Sequence, residues 1–163
     1  MLKTARHTAS RFFVFPSPAL PLFGIFRTGK GQEGRGDSMP TRGIRGATVA
    51  AANTSEAIHA ATRELLLALA DANDFDLDDI ASIFFTVSPD LTADYPAMAA
   101  RQLGWVDAPM VCAQEIAVPG GMLRCIRVLI HWNTDKRPNE VRHVYLHAAA
   151  QLRPDRVANA ARG

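Results

Sequence analysis

The stretch LRCIRVLIHWN, residues 123–133, decides the fold. It reads as a strand: Cys125, Ile126, Val128, Leu129 and Ile130 form an apolar run, and one charge, Arg127, stands inside it. Turn-forming residues bound it, Pro119-Gly120-Gly121 before and Asp135–Asn139 after. Outward from that strand, Met110–Val118 reads as a strand on one side and Val141–His147 as a strand on the other. Three strands therefore follow one another through turns.

Upstream the text alternates. Arg42–Ala50 (RGIRGATVA) reads as a first strand whose two glycines imply a bulge or a close backbone approach. Thr54 or Ser55 can cap a helix, and Ile58, Thr62, Leu65, Leu66 and Leu69 recur at helical spacing over 55–72. Asn73-Asp74 stops it, and Leu77–Ile80 is a short turn. Ile80–Val87 (IASIFFTV) is a strongly apolar strand ended by Ser88-Pro89-Asp90. Pro96 opens a second helix, about 95–103, which Gly104 closes. The order β-α-β-α-β-β-β is α+β: a five-stranded mixed sheet with two helices. Two helices do not cover five strands on both faces, so part of the sheet is expected to be buried against sister subunits.

A boundary falls near residue 38. Residues 1–38 lack sustained periodicity, and their apolar patch, Phe12 to Phe26, is cut by Pro16, Pro18 and Pro21. That patch is too short and broken for a transmembrane helix, and it lacks the small-residue cleavage site of a signal peptide. Gly29, Gly31, Gly34 and Gly36 follow as a flexible run. The expectation is a disordered leader over 1–38 ahead of a native start at Met39, and a folded domain over 39–163 with a flexible tail after about 154. The leader holds six basic and two acidic side chains, so the remainder of this +2 chain carries −2. The basic balance is thus a property of the leader and does not point to nucleic-acid binding by the folded part.

The usual catalytic engines are missing from the text. It contains no GxSxG elbow, no P-loop and no HExxH, and Arg42-Gly43-Ile44-Arg45-Gly46 lacks the GxGxxG fingerprint. Cys112 and Cys125 have neither zinc-site spacing nor the number for a disulfide scaffold, and read as small buried thiols in a reducing compartment. His59 on the first helix reads as exposed, and His131, His143 and His147 as structural, without metal-ligand company. No cofactor and no metal are expected.

The charges inside apolar strands are the informative feature. Glu115 lies in the expected strand Met110–Val118 and Arg127 in Leu123–Asn133, with Arg45 in the first strand and Arg142 and Arg153 around the last. Charges occupy such positions when they are paired or face a cavity. Two readings stay open on these residues: a structural Arg127–Glu115 pair at a subunit contact, or a pocket for an anionic ligand, which the planar guanidinium fork suits.

Eight stretches in this order carry a resemblance: Arg42–Thr48 (RGIRGAT), Ser88–Leu91 (SPDL), Tyr95-Pro96-Ala97, Gln114-Glu115, Gly120-Gly121, Cys125–Val128 (CIRV), Arg142–Leu146 (RHVYL) and Leu152-Arg153-Pro154. Over nearly all of residues 42–154 the chain resembles the monofunctional, trimeric chorismate mutase family of the Bacillus type. The resemblance implies an isomerase that rearranges chorismate to prephenate on the shikimate route to phenylalanine and tyrosine, in the cytoplasm. It implies a homotrimer with a barrel-like core and active sites between neighbours, and no nucleic-acid or membrane partner. Carried onto matching positions, Arg127 would hydrogen-bond the ether oxygen and Glu115 would hold the ring hydroxyl and favour the partly positive ring. Arg45 and Tyr145 would bind the side-chain carboxylate, Arg101 would help at the rim, and Arg153 would assist closure. Cys112 and Leu152 would shape the wall. Tyr95 stands where the family often has Phe, which keeps an aromatic wall and adds a hydroxyl.

Such a reaction needs neither proton transfer nor a covalent intermediate. The protein has to select a compact conformer and stabilise separated charge. A hydrogen bond to a charged group contributes about 1.5–3 kcal/mol. A preorganised donor at developing charge contributes about 2.7–4 kcal/mol. Two alternatives compete with it: a non-catalytic trimeric binding module for a small carboxylate, and an imine-deaminase-like trimer. Arg45, Glu115, Arg127 and Tyr145 are all present, and they match the mutase better than either.

Overall fold

The computed structural model describes residues 39–154. The expected leader over 1–38 and the expected flexible tail after about 154 concern residues outside that range. The described residues fold in the order β1 (Thr41–Val49), α1 (Ser55–Asn73), β2 (Ile80–Val87), α2 (Ala97–Gln102), β3 (Met110–Gln114), β4 (Cys125–Asn133) and β5 (Val144–Tyr145). The five strands form one sheet in the order β3-β2-β4-β1-β5. The sheet is mixed: β2 runs parallel to β3 and β1 parallel to β5, while β4 is antiparallel to both β1 and β2. The expected α+β class with two helices is the one found.

Helix α1 starts where its cap allows. The Thr54 hydroxyl accepts from the Ala57 amide at 3.2 Å, satisfying one of the orphan donors of the first turn. Ile58, Ala61, Thr62, Leu65, Leu66, Leu69 and Asn73 form its buried stripe. Leu65, Leu66 and Leu69 of the stripe pack with Ile44, Ile83, Phe85, Val128 and Ile130 in one core cluster, while Ile58 and Ala61 pack with Ala50, Leu91 and Ile126 in a second. Gly46 sets how closely α1 can approach β1. A Cβ there would lie 2.8 Å from Leu69 Cδ1 and 3.0 Å from Leu65 Cδ1, closer than carbon atoms pack. Of the two outcomes expected of the strand-1 glycines, close approach is the one realised. The β1–β4 register runs unbroken from Thr41↔Asn133 to Val49↔Cys125, and the irregularity falls in β2 instead, between Ile80 and Ser82.

The opposite sheet face carries Phe84, 42% exposed, and Val111, 51% exposed, side by side in register. Helices α1 and α2 both contribute to the core on the other face.

Three strands are shorter than expected, each for a local reason. β3 ends at Gln114 rather than Val118. Glu115 still donates its amide to Val87 O at 2.9 Å, and then the chain leaves the ladder in tight turns closed by Val118 N→Ile116 O and Gly121 N→Val118 O. Ile116 is 88% exposed, so apolar character alone did not make it a strand residue. β4 begins at Cys125 because Arg124 has a φ of 51°, outside extended geometry. β5 is reduced to Val144–Tyr145. The Arg142 amide and carbonyl are both taken by the Asn73 side chain, and His147, at φ 51°, turns the chain into a 3-10 segment, His147–Leu152.

Candidate active site

Arg127 sits mid-strand in β4, with Thr86 of β2 on one side and Ala47 of β1 on the other. Its Nη1 pairs with Glu115 Oε2, and the second Glu115 oxygen accepts from the Thr86 hydroxyl at 2.6 Å. Glu115 stands just beyond β3, so the correction to its strand position leaves it on the same open side of the sheet. The side chains are 34% and 17% exposed respectively, so the pair is neither a surface bridge nor sealed in the core. It lies at the wall of a hollow of about 680 Å³.

Arg127 also lines a second, smaller hollow of about 170 Å³, together with Arg45, Gly46, Ala47, Tyr145, Leu152 and Arg153. Three guanidinium groups thus surround a space whose lining holds no acidic side chain. Arg45 is placed by β1, and its amide donates to His143 Nδ1 at 3.1 Å, which ties β1 to the segment leading into β5. Tyr145 is placed by the short parallel pairing of Ala47 with Tyr145. The Tyr145 hydroxyl is buried and finds no hydrogen-bond partner among the described residues. A hydroxyl in that position costs about 1–3 kcal/mol unless something accepts or donates to it. Leu152 and Arg153 reach the hollow because the 3-10 segment folds back over β1.

The remaining expected residues form a second group. Tyr95, 68% exposed, lines a hollow of about 400 Å³ with Leu91, Pro96, Cys112 and Gln114. Arg101 follows on α2, exposed, with its Nη1 3.8 Å from Met98 Sδ, and its charge acts on the Cys112 thiol. Within the chain, Tyr95, Arg101 and Cys112 line no hollow together with Arg127, Arg45 and Tyr145.

Burial pushes the Cys112 thiol up, against the opposing pull of the Ala97 amide and of Arg101. Burial also pushes the Cys125 thiol up. Neither sulfur is held as the thiolate that nucleophilic chemistry requires. No group of His, Cys, Asp and Glu among the described residues could hold a metal ion. No helix among them is long and apolar enough to cross a membrane.

Three positioning contacts escaped the sequence reading. Thr86 holds Glu115, and only the sheet order, with β2 between β3 and β4, brings it there. Asp90 gathers the Ser88 hydroxyl at 2.6 Å and the Arg124 amide at 2.9 Å, while the Ser88 hydroxyl accepts from the Cys125 amide at 2.9 Å. This network fixes the entry of β4 two residues before Arg127. Asn73, 1% exposed, donates to Leu69 O and Arg142 O and accepts from Arg142 N, all at 2.9 Å, and so clamps the approach to Tyr145. A buried asparagine closing a helix was the available signal, but its partner 69 residues away was not. His59, read as exposed, is mostly buried, with 17% of its side chain exposed, and lies 3.1 Å from Asp94.

The chain is similar to known proteins over most of its described length. The family model described as chorismate mutase type I matches residues 41–156. The chain is 52% identical over 115 residues to the chorismate mutase AroH of Thermus thermophilus, covering 70% of this chain and 94% of that protein. It is 42% identical over 118 residues to AroH of Bacillus subtilis, covering 72% and 93%. Its fold superimposes with a TM-score of 0.66 on a chorismate mutase from Clostridium thermocellum that is 47% identical, covering 68% of this chain and 98% of that one. With an arginine-lined hollow, a carboxylate at its edge and a family match that spans the whole folded region, the chain belongs to the chorismate mutase type I family.

Proposed function

We propose that this protein rearranges chorismate to prephenate, and that Arg127, Glu115, Arg45 and Tyr145 form the centre of its site. The observation that carries the proposal is the position of Arg127. It touches the Glu115 carboxylate on one side and lines the arginine-rich hollow of Tyr145 on the other.

The chemistry follows from that geometry. The rearrangement breaks a C–O bond and forms a C–C bond within one molecule, so the barrier falls when the reactive conformer is held and the separating charge is met by fixed dipoles. The Arg127 guanidinium donates to the ether oxygen, where negative charge grows. Glu115, kept oriented by Thr86, holds the ring hydroxyl and faces the ring as it becomes partly positive. Arg45 and the Tyr145 hydroxyl take the side-chain carboxylate, which satisfies the buried phenol. Leu152 and Cys112 are wall, and Arg153 closes over the ligand. Holding Glu115 against Arg127 before substrate arrives keeps both groups in place at little further ordering cost.

We also propose a homotrimer in which Tyr95 and Arg101 of one subunit complete the Arg127 hollow of its neighbour. Two observations support it: the uncovered sheet face with Phe84 and Val111, and the separation of the expected site residues into two groups on one chain. The same reading places the reaction in the cytoplasm, consistent with two cysteines that are both free.

The test is loss of chorismate absorbance with formation of prephenate by the purified protein. Turnover supports the proposal, and an assembled protein without turnover contradicts it. A fully active monomer contradicts the shared site.

A further inference from the structure

The loop from Leu91 to Pro96 has no place in the sheet or the helices, yet it carries Tyr95 and leads directly into the helix of Arg101. Its backbone is held from outside. Leu91 is buried against Ile58, Ala61 and Ile126, and its amide donates to Ser88 O at 3.0 Å. Asn53, just ahead of α1, accepts the amides of Thr92 at 2.9 Å and Ala93 at 3.0 Å and donates to the Thr92 hydroxyl at 3.0 Å.

The next residue, Asp94, divides its carboxylate. One oxygen accepts from the Tyr95 amide at 2.7 Å. The other lies 3.1 Å from His59 Nε2, on the first turns of α1. The two side chains are only 17% and 29% exposed. The Nε2 atom itself is fully buried and its approach to Asp94 is not that of an aligned hydrogen bond, so close packing rather than a directed N–H sets the two against each other. One carboxylate therefore connects a rigid, well-packed helix to the backbone amide of Tyr95.

We propose that His59 and Asp94 are positioning residues for the substrate site: they fix the Tyr95 loop to α1 so that the aromatic wall stands ready before the ligand binds. The inference rests on the chorismate reading and on Tyr95 lining the site. Within its own chain Tyr95 is largely exposed, so what sets its position there is the loop backbone held by Asn53 and Asp94. A loosened wall leaves the charged centre at Arg127 and Glu115 untouched. What it loses is preorganised binding, because the loop has to be ordered at the moment the substrate arrives.

The experiment is steady-state kinetics with chorismate on the full chain, alongside thermal unfolding. In His59→Ala, KM rises about fivefold, equivalent to about 1 kcal/mol, while kcat changes less than twofold. His59→Gln, whose amide can still reach Asp94, recovers most of the loss. Asp94→Ala removes both the oxygen on the Tyr95 amide and the one against His59, and raises KM at least twofold. It carries the test if His59→Ala does not fold. A merely structural role lowers Tm and the fraction of active protein but leaves KM flat, and that result in the His59 and Asp94 variants overturns the proposal. A wild-type protein without turnover removes the reading beneath it and the inference with it. Wild-type turnover with flat KM in the variants overturns this inference alone.

Discussion

Arg127 of β4 and Glu115, just past the end of β3, are paired across β2, which separates β3 from β4 and whose Thr86 hydroxyl donates to Glu115 at 2.6 Å. The contact therefore reports the sheet order directly. It also brings a cation and an anion to one edge of a hollow without letting either be sealed in the core.

Glu115→Gln keeps the size and loses the charge that faces the ring. We expect kcat to fall ten- to a hundredfold, the effect of losing a charged contact of about 1.5–3 kcal/mol. Kinetics against chorismate will show it. An unchanged kcat removes Glu115 from the reaction and returns it to a structural partner of Arg127.

Thr86→Val removes only the hydroxyl that orients Glu115. The expected loss is about 1 kcal/mol, or roughly fivefold in kcat/KM, with little change in Tm. Full activity in this variant means that the Arg127 contact alone orients the carboxylate.

Gly46→Ala tests the packing beneath the site. The added Cβ meets Leu69 Cδ1 at 2.8 Å, Leu65 Cδ1 at 3.0 Å and the Val144 carbonyl oxygen at 3.2 Å, so either the leucine side chains or α1 have to give. Overpacking of this kind costs about 1–3 kcal/mol. A Tm lowered by several degrees is expected in thermal unfolding, and an unchanged Tm shows that the leucines can turn aside freely.

Asp90 gives a pH dependence. Desolvation opposes its ionisation, but the Ser88 hydroxyl, the Arg124 amide and the Arg124 charge outweigh it, and its pKa lies below the ordinary 3.8. A carboxyl with a lowered folded pKa adds stability at every pH above its unfolded value, and that contribution is lost as pH falls through the folded value. Asp90→Ala should therefore lower Tm at neutral pH, with the gap to wild type narrowing below about pH 4. A gap of constant size across the acid range contradicts the assignment.

Much of this was legible in the chain, and the rest was not for definable reasons. Helical spacing from Ile58 to Leu69 and the apolar run around Ile126 fixed α1 and β4 within about two residues, because local periodicity and core packing point the same way there. Val141–His147 and Met110–Val118 were read too long. Ile116 and Val118 are as apolar as strand residues, but the ladder ends where Asn73, Arg124 and the Pro119 turn redirect the backbone, and those are long-range or conformational facts. Among site residues, Arg127 and Glu115 announced themselves as charges within apolar stretches. Spacing left their pairing and their function undecided, and the ordered words from Arg42 to Pro154 supplied the named reaction. Thr86, His59 and Asp94 carried no such mark, since each becomes meaningful only through a partner far along the chain.

The most direct measurement on the central claim is the kinetic comparison of Arg127→Ala with the wild type. A donor that meets charge developing on the ether oxygen is worth about 2.7–4 kcal/mol in the transition state. The prediction is a kcat lowered by about a hundredfold to a thousandfold, with ground-state binding of chorismate weakened far less. A variant in which KM rises while kcat stays at the wild-type value contradicts the account, because Arg127 would then bind substrate without stabilising its rearrangement.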